Sequence, residues 1–392
     1  MREDLLDALV IGAGPAGSVA ALSLARNGWR VLLLDRATFP RDKVCGDALV
    51  KDSLMVLSRL GLLERAEALG KRTSVLRAYL PDRSTLEFEC DFLCTPRRLF
   101  DDLLVEAAVE AGAEFQVGSP VTEVRVDARR VLARTADGDE LGARLVLVAT
   151  GAASSLLELF RPGASTDYNA LAARSYFQLN GDLPERVLVS WDRSTSPGYG
   201  WAFPLPGGLL NVGCGVFLER RERPPNLSRL FQAFTRESPE LSELLQGKAP
   251  LEPLKGAPLR CGMRDVLPAR DRLLAIGEAQ GATLPFSGEG IGKAMETAEL
   301  AARCAHDALS ADDLSAASLS RYTAALEERI RPRYQAYRAA QRWLKYPRLT
   351  NLVGWRARKS PYLRKLVGGL LDESTPPDAI FSPMAVMRSF FE

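Results

Sequence analysis

A short glycine-rich run near the start of the chain has the residue types and spacing that bind a dinucleotide phosphate. Residues 12–17 read GAGPAG, between an apolar run and a segment with helical spacing. Gly12 permits a tight turn, Gly14 lets the backbone approach a pyrophosphate, and Gly17 lets the helix pack closely on the strand. Asp35 ends the next apolar run, eighteen residues after Gly17, where such a fold places a carboxylate on the ribose. The order strand, glycine turn, helix, strand predicts a dinucleotide-binding βαβ unit.

A cysteine in the following loop is the candidate for proton transfer. Cys45 is preceded by Arg41 and Lys43 and followed by Gly46, so we expect its thiol in a close-packed, electropositive loop. Neighbouring cations tune the pKa of a thiol and allow it to donate or accept a proton. Cys45 is therefore the predicted catalytic residue, and an inert buried cysteine is the alternative interpretation.

The other reactive residues exclude several classes of function. The chain has a single histidine, His306, which we interpret as a helix-end cation or a core residue. Histidine-rich metal sites and most histidine-based hydrolase chemistry are therefore disfavoured, and no metal site is predicted. The six cysteines form no CxxC pair and no signal sequence opens the chain, so we expect free thiols in a cytoplasmic protein.

The composition is that of an ordinary globular protein. Its 392 residues are 46% hydrophobic and 26% charged, with a net charge of +2. These values favour neither disorder nor a nucleic-acid partner. No apolar run reaches the roughly 18 residues that a membrane-spanning helix requires.

The pattern of elements predicts an α/β protein with an α+β second domain. We expect a discontinuous dinucleotide-binding domain with a parallel, Rossmann-like sheet over residues 1–165 and 264–310. Residues 166–263, with part of 70–96, are expected to form an antiparallel-sheet domain that binds substrate. Residues 311–392 are expected to be helical and basic.

Three aromatic residues in the second domain alternate along one predicted strand. Tyr199, Trp201 and Phe203 are two apart, so they are expected to point to the same face and form an aromatic wall. Such a wall suits a long apolar substrate, whereas an ordinary sheet core is the alternative. The predicted pocket is completed by Pro204 and by Gly213 and Gly215, which leave room on the next strand.

Two further stretches carry a resemblance to a known family. Residues 39–49 read FPRDKVCGDAL, and residues 273–296 read LLAIGEAQGATLPFSGEGIGKAME. With the glycine turn, they resemble the p-hydroxybenzoate hydroxylase-like flavoproteins, which include aromatic hydroxylases, flavin halogenases and geranylgeranyl reductases. The resemblance implies FAD, with the second stretch against the ribityl chain and flavin ring, where N–H groups at a helix start stabilise a negative reduced flavin. The predicted FAD-binding residues are Gly12, Gly14, Pro15, Ala16, Gly17, Asp35, Arg36, Lys43, Cys45, Gly46, Arg97, Gly277, Glu278, Pro285, Gly288, Gly290 and Ile291.

Two signatures point to one branch of this family. The spacing Pro40-x-x-Lys43-x-Cys45-Gly46 and the sequence YGWAFP at residues 199–204 resemble geranylgeranyl reductases, whereas the related halogenases carry WxWxIP. Residues 150–151 are Thr-Gly where hydroxylases of this type have Asp-Gly. A standard NADPH-driven hydroxylase is therefore disfavoured.

The resemblance implies an FAD-dependent oxidoreductase that hydrogenates carbon–carbon double bonds of a prenyl or other apolar chain. A flavin-dependent monooxygenase or halogenase is one alternative, and a non-catalytic flavin electron-transfer protein is another. The electron donor is expected to be NAD(P)H or a ferredoxin-like protein.

The segment from Arg329 to Lys365 breaks the neutral average of the chain. It contains twelve Lys or Arg and no Asp or Glu, interleaved with aromatic residues that include Tyr334, Tyr337 and Trp355. Such a segment is typical of docking on an anionic lipid surface or of holding a prenyl diphosphate. A solvated helical face that pairs with acids elsewhere is the alternative. We therefore expect a protein that is cytoplasmic or peripheral on the inner face of a membrane, with its oligomeric state open.

Overall fold

The computed structural model contains strands, helices and connecting turns over most of the chain. It describes residues 5–164, 167–179, 184–191, 193, 195, 198–218, 224–263, 267–343, 346–370, 375, 377–380 and 383–388. The strands are β1 (Leu6–Ile11), β2 (Val31–Asp35), β3 (Ala48–Leu49), β4 (Lys71–Tyr79), β5 (Thr85–Cys94), β6 (Glu114–Val117), β7 (Val121–Val126), β8 (Val131–Thr135), β9 (Glu140–Val148), β10 (Ala170–Gln178), β11 (Arg186–Ser190), β12 (Gly198–Pro204), β13 (Leu209–Phe217), β14 (Lys255–Leu259), β15 (Ala269–Arg270) and β16 (Leu273–Ala275). The helices are α1 (Pro15–Arg26), α2 (Lys51–Leu60), α3 (Leu63–Glu67), α4 (Arg97–Glu110), α5 (Leu227–Glu237), α6 (Pro239–Leu244), α7 (Ile291–Ser310), α8 (Ala316–Arg329), α9 (Arg331–Trp343), α10 (Pro347–Lys359), α11 (Pro361–Gly369), α12 (Pro377–Ile380) and α13 (Pro383–Arg388).

The first sheet carries the predicted βαβ unit. Its central path has the order β15-β16-β9-β1-β2-β6, with β7 and β8 attached beyond β9. β1 pairs in parallel with both β2 and β9, and its residues are buried almost throughout, as expected for a parallel strand covered on both faces. The α/β class and the parallel, Rossmann-like sheet are confirmed.

The second sheet brings together strands from distant parts of the sequence. Its order is β14-β10-β13-β12-β11-β4-β5-β3. Most neighbouring strands are antiparallel, but β11 pairs with β4 in parallel. β4 and β5 come from an earlier part of the chain than the strands between residues 170 and 259. The mainly antiparallel second sheet is as predicted, while the exact domain boundaries stay a prediction.

The C-terminal region is helical, as predicted. Helices α9, α10 and α11 contribute side chains to a cavity beside β4, β5 and β11. Within the described ranges, no helix is long and apolar enough to cross a membrane.

Candidate functional site

The glycine turn is built by close backbone contacts. Gly12 has a φ of +105°, and a Cβ there would lie 2.5 Å from the carbonyl oxygen of Ala149. A Cβ at Gly17 would lie 1.8 Å from the carbonyl oxygen of Gly12. A side chain at Gly12 would push the turn away from Ala149, which follows β9. A side chain at Gly17 would push the turn away from α1. Because α1 begins with Pro15 directly after Gly14, the free N–H groups of its first turn are available to an anion.

Asp35 holds this turn at the end of β2. One carboxylate oxygen accepts a hydrogen bond from the N–H of Ala13 at 2.8 Å, and the other accepts from the N–H of Ala37 at 2.9 Å. The Arg41 guanidinium lies 3.7 Å away. The carboxylate is therefore fixed beside the glycine turn, where a ribose is predicted.

A cavity of about 650 Å³ runs past the turn and is called here the larger cavity. It is lined by residues of the glycine turn, the Cys45 loop, α4 and the start of α7. The predicted FAD-binding residues in its lining are Gly12, Gly14, Pro15, Ala16, Asp35, Arg36, Lys43, Cys45, Gly46, Arg97, Glu278, Gly288, Gly290 and Ile291.

Three predicted residues do not line the larger cavity, and two of them have a packing role there. Gly17 supports the turn, as described above. Gly277 has a φ of +61°, and its added Cβ would lie 2.6 Å from the Cβ of Ala16, so it allows this loop to approach α1. Pro285 is buried in the turn before α7. These three residues do not line the larger cavity, so their direct contact with a cofactor stays a prediction.

The stretch before α7 faces the same cavity. Glu278 accepts hydrogen bonds from the N–H of Arg260 at 3.3 Å and from the hydroxyl of Thr283 at 3.2 Å. Gly290 is the residue that precedes α7, and Gly288 has a φ of +71°. The helix start and its positive dipole end therefore border the cavity.

Arg97 is a buried cation at the first position of α4. Its guanidinium donates to both carboxylate oxygens of Asp101, at 2.6 and 2.8 Å, and Arg41 contacts Asp101 at 3.1 Å. Burial lowers the pKa of Arg97, but the charges and hydrogen bonds of Asp101 and Cys45 together outweigh burial and raise this pKa. Arg97 is therefore a paired, permanently charged group next to Cys45.

Cys45 lies where the larger cavity meets a second one. Burial raises the pKa of its thiol; the Arg97 charge lowers this pKa, and the Asp47 charge raises it. Arg41 and Lys43, the basic neighbours in the sequence, are not among the groups with the largest effects on the pKa of Cys45. A thiol with a raised pKa remains protonated at neutral pH and is suited to donate a proton rather than to act as a nucleophile.

Asp47 is the residue that sequence reasoning missed. It is fully buried, with a φ of +63° that is uncommon outside glycine. Its carboxylate accepts hydrogen bonds from the Tyr176 hydroxyl at 2.5 Å and from Asn211 Nδ2 at 2.8 Å. Burial raises the pKa of Asp47 to about 6, against the lowering effect of those hydrogen bonds. The available signal was one acid inside the otherwise uncharged run VCGDALV.

The aromatic wall has the predicted arrangement. The ring centroids of Tyr199 and Trp201 are 5.9 Å apart, and those of Trp201 and Phe203 are 6.4 Å apart. All three line the larger cavity, and Tyr199 and Phe203 also line the second one. Trp201 Nε1 donates to Asn211 Oδ1 at 3.0 Å, which fixes the indole.

The predicted space beside the wall is only partly present. A Cβ at Gly213 would lie 2.2 Å from the Trp201 indole, so this indole already fills the room that the sequence suggested for a ligand, and that prediction is wrong for Gly213. Gly215 does line the larger cavity. Pro204 is buried at the end of β12 and lines neither cavity.

The second cavity, of about 200 Å³, is called here the apolar cavity. Its walls are side chains of β4, β5, β11 and β12 on one side and of α9, α10 and α11 on the other. It shares with the larger cavity the residues Cys45, Gly46, Tyr199, Phe203, Gly288, Gly290 and Ile291. An apolar chain in the apolar cavity would therefore end beside Cys45 and the start of α7.

Part of the basic C-terminal segment is core. Tyr334 and Tyr337 are buried, and their hydroxyls donate to the carbonyl oxygens of Ala282 and Leu370. These two tyrosines pack α9 against the rest of the protein and do not face a lipid surface, while docking of the segment as a whole stays a prediction. Tyr346 and Trp355 are exposed, at 62% and 38%. Lys345 and the side chain of Trp343 lie outside the described residues.

The single histidine lies outside the candidate site. The Trp29 indole donates to Nδ1 of His306 at 3.0 Å, away from both cavities. All six cysteines are free, and among the described residues no cluster of His, Cys, Asp and Glu could hold a metal ion.

Comparison with known proteins decides the family. The model of a family described as an FAD binding domain matches residues 6–306. The chain therefore belongs to the FAD-binding domain family. It is similar to a menaquinone reductase of Mycobacterium tuberculosis H37Rv, with 35% identity over 316 residues, which are 76% of each chain. It is also similar to digeranylgeranylglycerophospholipid reductase 1 of Methanopyrus kandleri, with 31% identity over 340 residues, which are 85% of this chain and 88% of the relative.

Solved structures show the same fold. A geranylgeranyl bacteriochlorophyll reductase-like protein of Thermoplasma acidophilum has a TM-score of 0.76 at 21% identity, covering 99% of this chain and 96% of its own. A flavin-dependent brominase has a TM-score of 0.76 at 20% identity, covering 98% of both chains. The family match and the reductases described above show that the chain is an FAD-dependent oxidoreductase, and they confirm the predicted resemblance to geranylgeranyl reductase-type flavoproteins.

The larger cavity fits FAD. The hydroxyl of Thr150 is buried and has no hydrogen-bond partner within the described residues, and it lies in the cavity lining. A buried polar atom of this kind needs a partner, which a bound cofactor can supply. The glycine turn, Arg97 and the start of α7 would hold the phosphates and the ring.

Proposed function

We propose that this flavoprotein hydrogenates carbon–carbon double bonds of a prenyl chain bound in the apolar cavity. One observation carries the proposal: the apolar cavity meets the larger cavity at Cys45, Tyr199 and Gly288. A chain in the apolar cavity would thus place a double bond next to the region that fits the flavin ring. The names of the prenyl-lipid and menaquinone reductases to which the chain is similar support this substrate class.

The reaction adds one hydride and one proton across the double bond. Reduced FAD, when bound, supplies the hydride. An isolated alkene accepts hydride poorly, so the proton must be available at the second carbon in a site that excludes water. The apolar walls of the cavity provide that exclusion.

Cys45 is the proposed proton donor. Its S–H bond breaks as the new C–H bond forms, and the thiolate that remains faces the Arg97 guanidinium, which favours the charged form. Asp101 holds Arg97 in place for this task. Solvent returns the proton between turnovers.

The test is anaerobic. The purified protein, kept reduced with dithionite, is incubated with a geranylgeranyl lipid, and the mass of the product is measured by mass spectrometry. A gain of two hydrogens per double bond supports the proposal. Product that forms only after oxygen is admitted, carrying an added oxygen or halogen, would instead favour the monooxygenase or halogenase. Redox cycling with no altered lipid would favour an electron-transfer protein.

The electron donor is proposed to be NAD(P)H or a ferredoxin-like protein. Anaerobic bleaching of the flavin absorbance distinguishes the two. Reduction by NADPH or NADH alone identifies a nicotinamide donor, whereas reduction only with reduced ferredoxin identifies a protein donor.

We also propose that α10 rests on an anionic membrane surface, on the inner face of the membrane. Val353, Gly354 and Ala357 of this helix line the apolar cavity. Its outward side exposes Leu352 and Trp355 together with the basic residues Arg348 and Lys359. The exposed apolar side chains would enter the membrane interface, and the basic side chains would contact anionic headgroups. The opposite side of the same helix lines the apolar cavity.

Vesicle sedimentation tests this surface. The protein is expected to bind vesicles that contain phosphatidylglycerol and to bind pure phosphatidylcholine weakly. Trp355→Ala should reduce binding severalfold, while Leu251→Ala, at an exposed leucine on another surface, should not. Equal binding of both variants would contradict the proposal.

A further inference from the structure

Asp47 lies two residues after Cys45 but lines neither cavity. The loop turns at this point through a left-handed backbone conformation, and the carboxylate enters the protein interior, where it is fully buried. Aspartate is one of the few residues besides glycine that adopt this backbone conformation readily, but burial of its carboxylate is costly and indicates that the carboxylate has a purpose at this place.

Three donors from separate elements fix the carboxylate. Tyr176 of β10 and Asn211 of β13 donate to one oxygen, at 2.5 and 2.8 Å. The backbone N–H of Arg97 donates to the other at 3.2 Å. Each of these donor groups is neutral, so the hydrogen bonds orient the carboxylate without cancelling its charge.

The same contacts reach Cys45. Asn211 Nδ2 donates to the Cys45 carbonyl oxygen at 2.8 Å as well as to Asp47. Asn211 Oδ1 accepts from the Trp201 indole. One amide, held by Asp47, therefore fixes the Cys45 loop and the aromatic wall relative to each other.

The charges around Asp47 come from several elements. Arg97 and Asp101 of α4 pair with each other. Burial and, second to it, the Asp47 charge raise the pKa of Cys94 of β5. Arg174 of β10 also acts on Asp47. Arg174 is itself paired with Asp42 and Glu252, which both contact Lys255.

Because Arg97 and Arg174 pair with other acids, the Asp47 carboxylate keeps its negative charge. This charge disfavours the ionisation of Cys45 to a thiolate, whereas Arg97 and the backbone N–H of Asp47 favour it. We propose that the Asp47 carboxylate is a positioning residue that keeps Cys45 in its thiol form and fixes its loop, ready to donate a proton. The role of Cys45 as a proton donor rests on the proposed function. The effect of Asp47 on the ionisation of Cys45 can be measured without an alkene substrate.

The experiment follows alkylation of Cys45 by iodoacetamide in the FAD-bound protein between pH 6 and pH 11. Mass spectrometry of the Cys45 peptide gives the rate at each pH. Asp47→Asn keeps the size of the side chain and removes its charge. The expected result is alkylation about tenfold faster at pH 8, equivalent to a midpoint about one pH unit lower. Rates within twofold of the wild type would overturn the proposal.

Tyr176→Phe is the matched control. It removes one hydrogen bond to Asp47 but leaves the charge, which is complete above pH 8. Its alkylation midpoint is expected to match the wild type, whereas a shift as large as that of Asp47→Asn would show loosening of the loop and overturn the role of charge. Cys90, beside Asp91 rather than Asp47, is the internal reference.

The wild type alone also tests the inference if Asp47→Asn does not fold. Its Cys45 midpoint should lie above that of the same peptide in urea, because burial and the Asp47 charge both raise it. A midpoint at or below that of the peptide would overturn the proposal. A shifted midpoint in Asp47→Asn with full alkene turnover in Cys45→Ala would remove Cys45 from the reaction. The link between Asp47 and Cys45 would still stand, so the two failures are distinguishable.

Discussion

The hydroxyl of Tyr199 donates a hydrogen bond to the carbonyl oxygen of Ser287. This contact joins the aromatic strand β12 to the turn before α7, so the wall of the apolar cavity and the predicted ring site of FAD are held together. Gly288 is part of the same junction, since a Cβ there would lie 3.0 Å from the Tyr199 hydroxyl.

Tyr199→Phe is expected to weaken this junction. Loss of one buried hydrogen bond costs about 1 kcal/mol of unfolding free energy, and FAD affinity should fall severalfold because the turn before α7 is less fixed. Flavin fluorescence titration measures the affinity. Tyr168→Phe, at an exposed tyrosine, is the control, and equal FAD affinity in both variants would contradict the role of the contact.

A pair of glycine substitutions tests the packing of the aromatic wall. Gly213→Ala places a Cβ 2.2 Å from the Trp201 indole, whereas at Gly215 the nearest atoms are 3.5 Å away. We expect Gly213→Ala to lower the unfolding free energy by about 2 kcal/mol through overpacking. Gly215→Ala should lower the unfolding free energy by well under half of that amount. Urea denaturation of the two variants makes the comparison, and equal losses would contradict it.

Cys45→Ala tests proton donation. Removal of a general acid typically slows a reaction by about 100-fold or more, so alkene turnover should fall by that factor while FAD stays bound. Cys90→Ala removes a cysteine that lines neither cavity and should leave turnover unchanged. Full turnover in Cys45→Ala would exclude Cys45 as the donor.

Asp47 makes stability depend on pH in a defined direction. Its pKa in the folded protein is raised from 3.8 to about 6, so the folded state binds this proton more tightly than the unfolded state. The contribution of Asp47 to stability therefore falls as the pH rises from about 4 to about 6, by up to about 3 kcal/mol at 1.36 kcal/mol per pH unit.

Asp47→Asn lacks this titration. The difference in melting temperature, variant minus wild type, should increase between pH 4 and pH 6 and then become constant. Thermal unfolding followed by circular dichroism at four pH values measures it. A difference that is independent of pH would show that the folded-state pKa is not raised.

The apolar cavity predicts a steric test of substrate binding. Val367 of α11 lines this cavity, and the neighbouring Leu366 does not. Val367→Trp should reduce the volume and raise the KM for a geranylgeranyl lipid about tenfold, with FAD content unchanged. Leu366→Trp is the matched control, and an unchanged KM in Val367→Trp would place the substrate elsewhere.

Local sequence was sufficient to predict the turn at residues 12–17 and the place of Asp35 beside it, because both lie within one βαβ unit and follow from short spacings. Their contacts with FAD stay a prediction. The aromatic wall was also predictable, because alternate residues of a strand share a face.

Long-range contacts could not be predicted in the same way. Tyr176 and Asn211 are 129 and 164 residues from Asp47, and nothing in the local pattern brings them together. The sequence showed room at Gly213 but not that Trp201 fills it. The basic composition of the C-terminal segment did not show that one side of its helices closes an apolar cavity.

The measurement that tests the central claim most directly is an anaerobic single turnover. The protein, with its FAD fully reduced and no excess reductant, is mixed with a geranylgeranyl lipid while flavin absorbance and lipid mass are followed together. The proposed function predicts one FAD oxidised for each double bond lost, with a mass gain of two hydrogens. Flavin that stays reduced until oxygen is admitted, with the lipid unchanged, would contradict it.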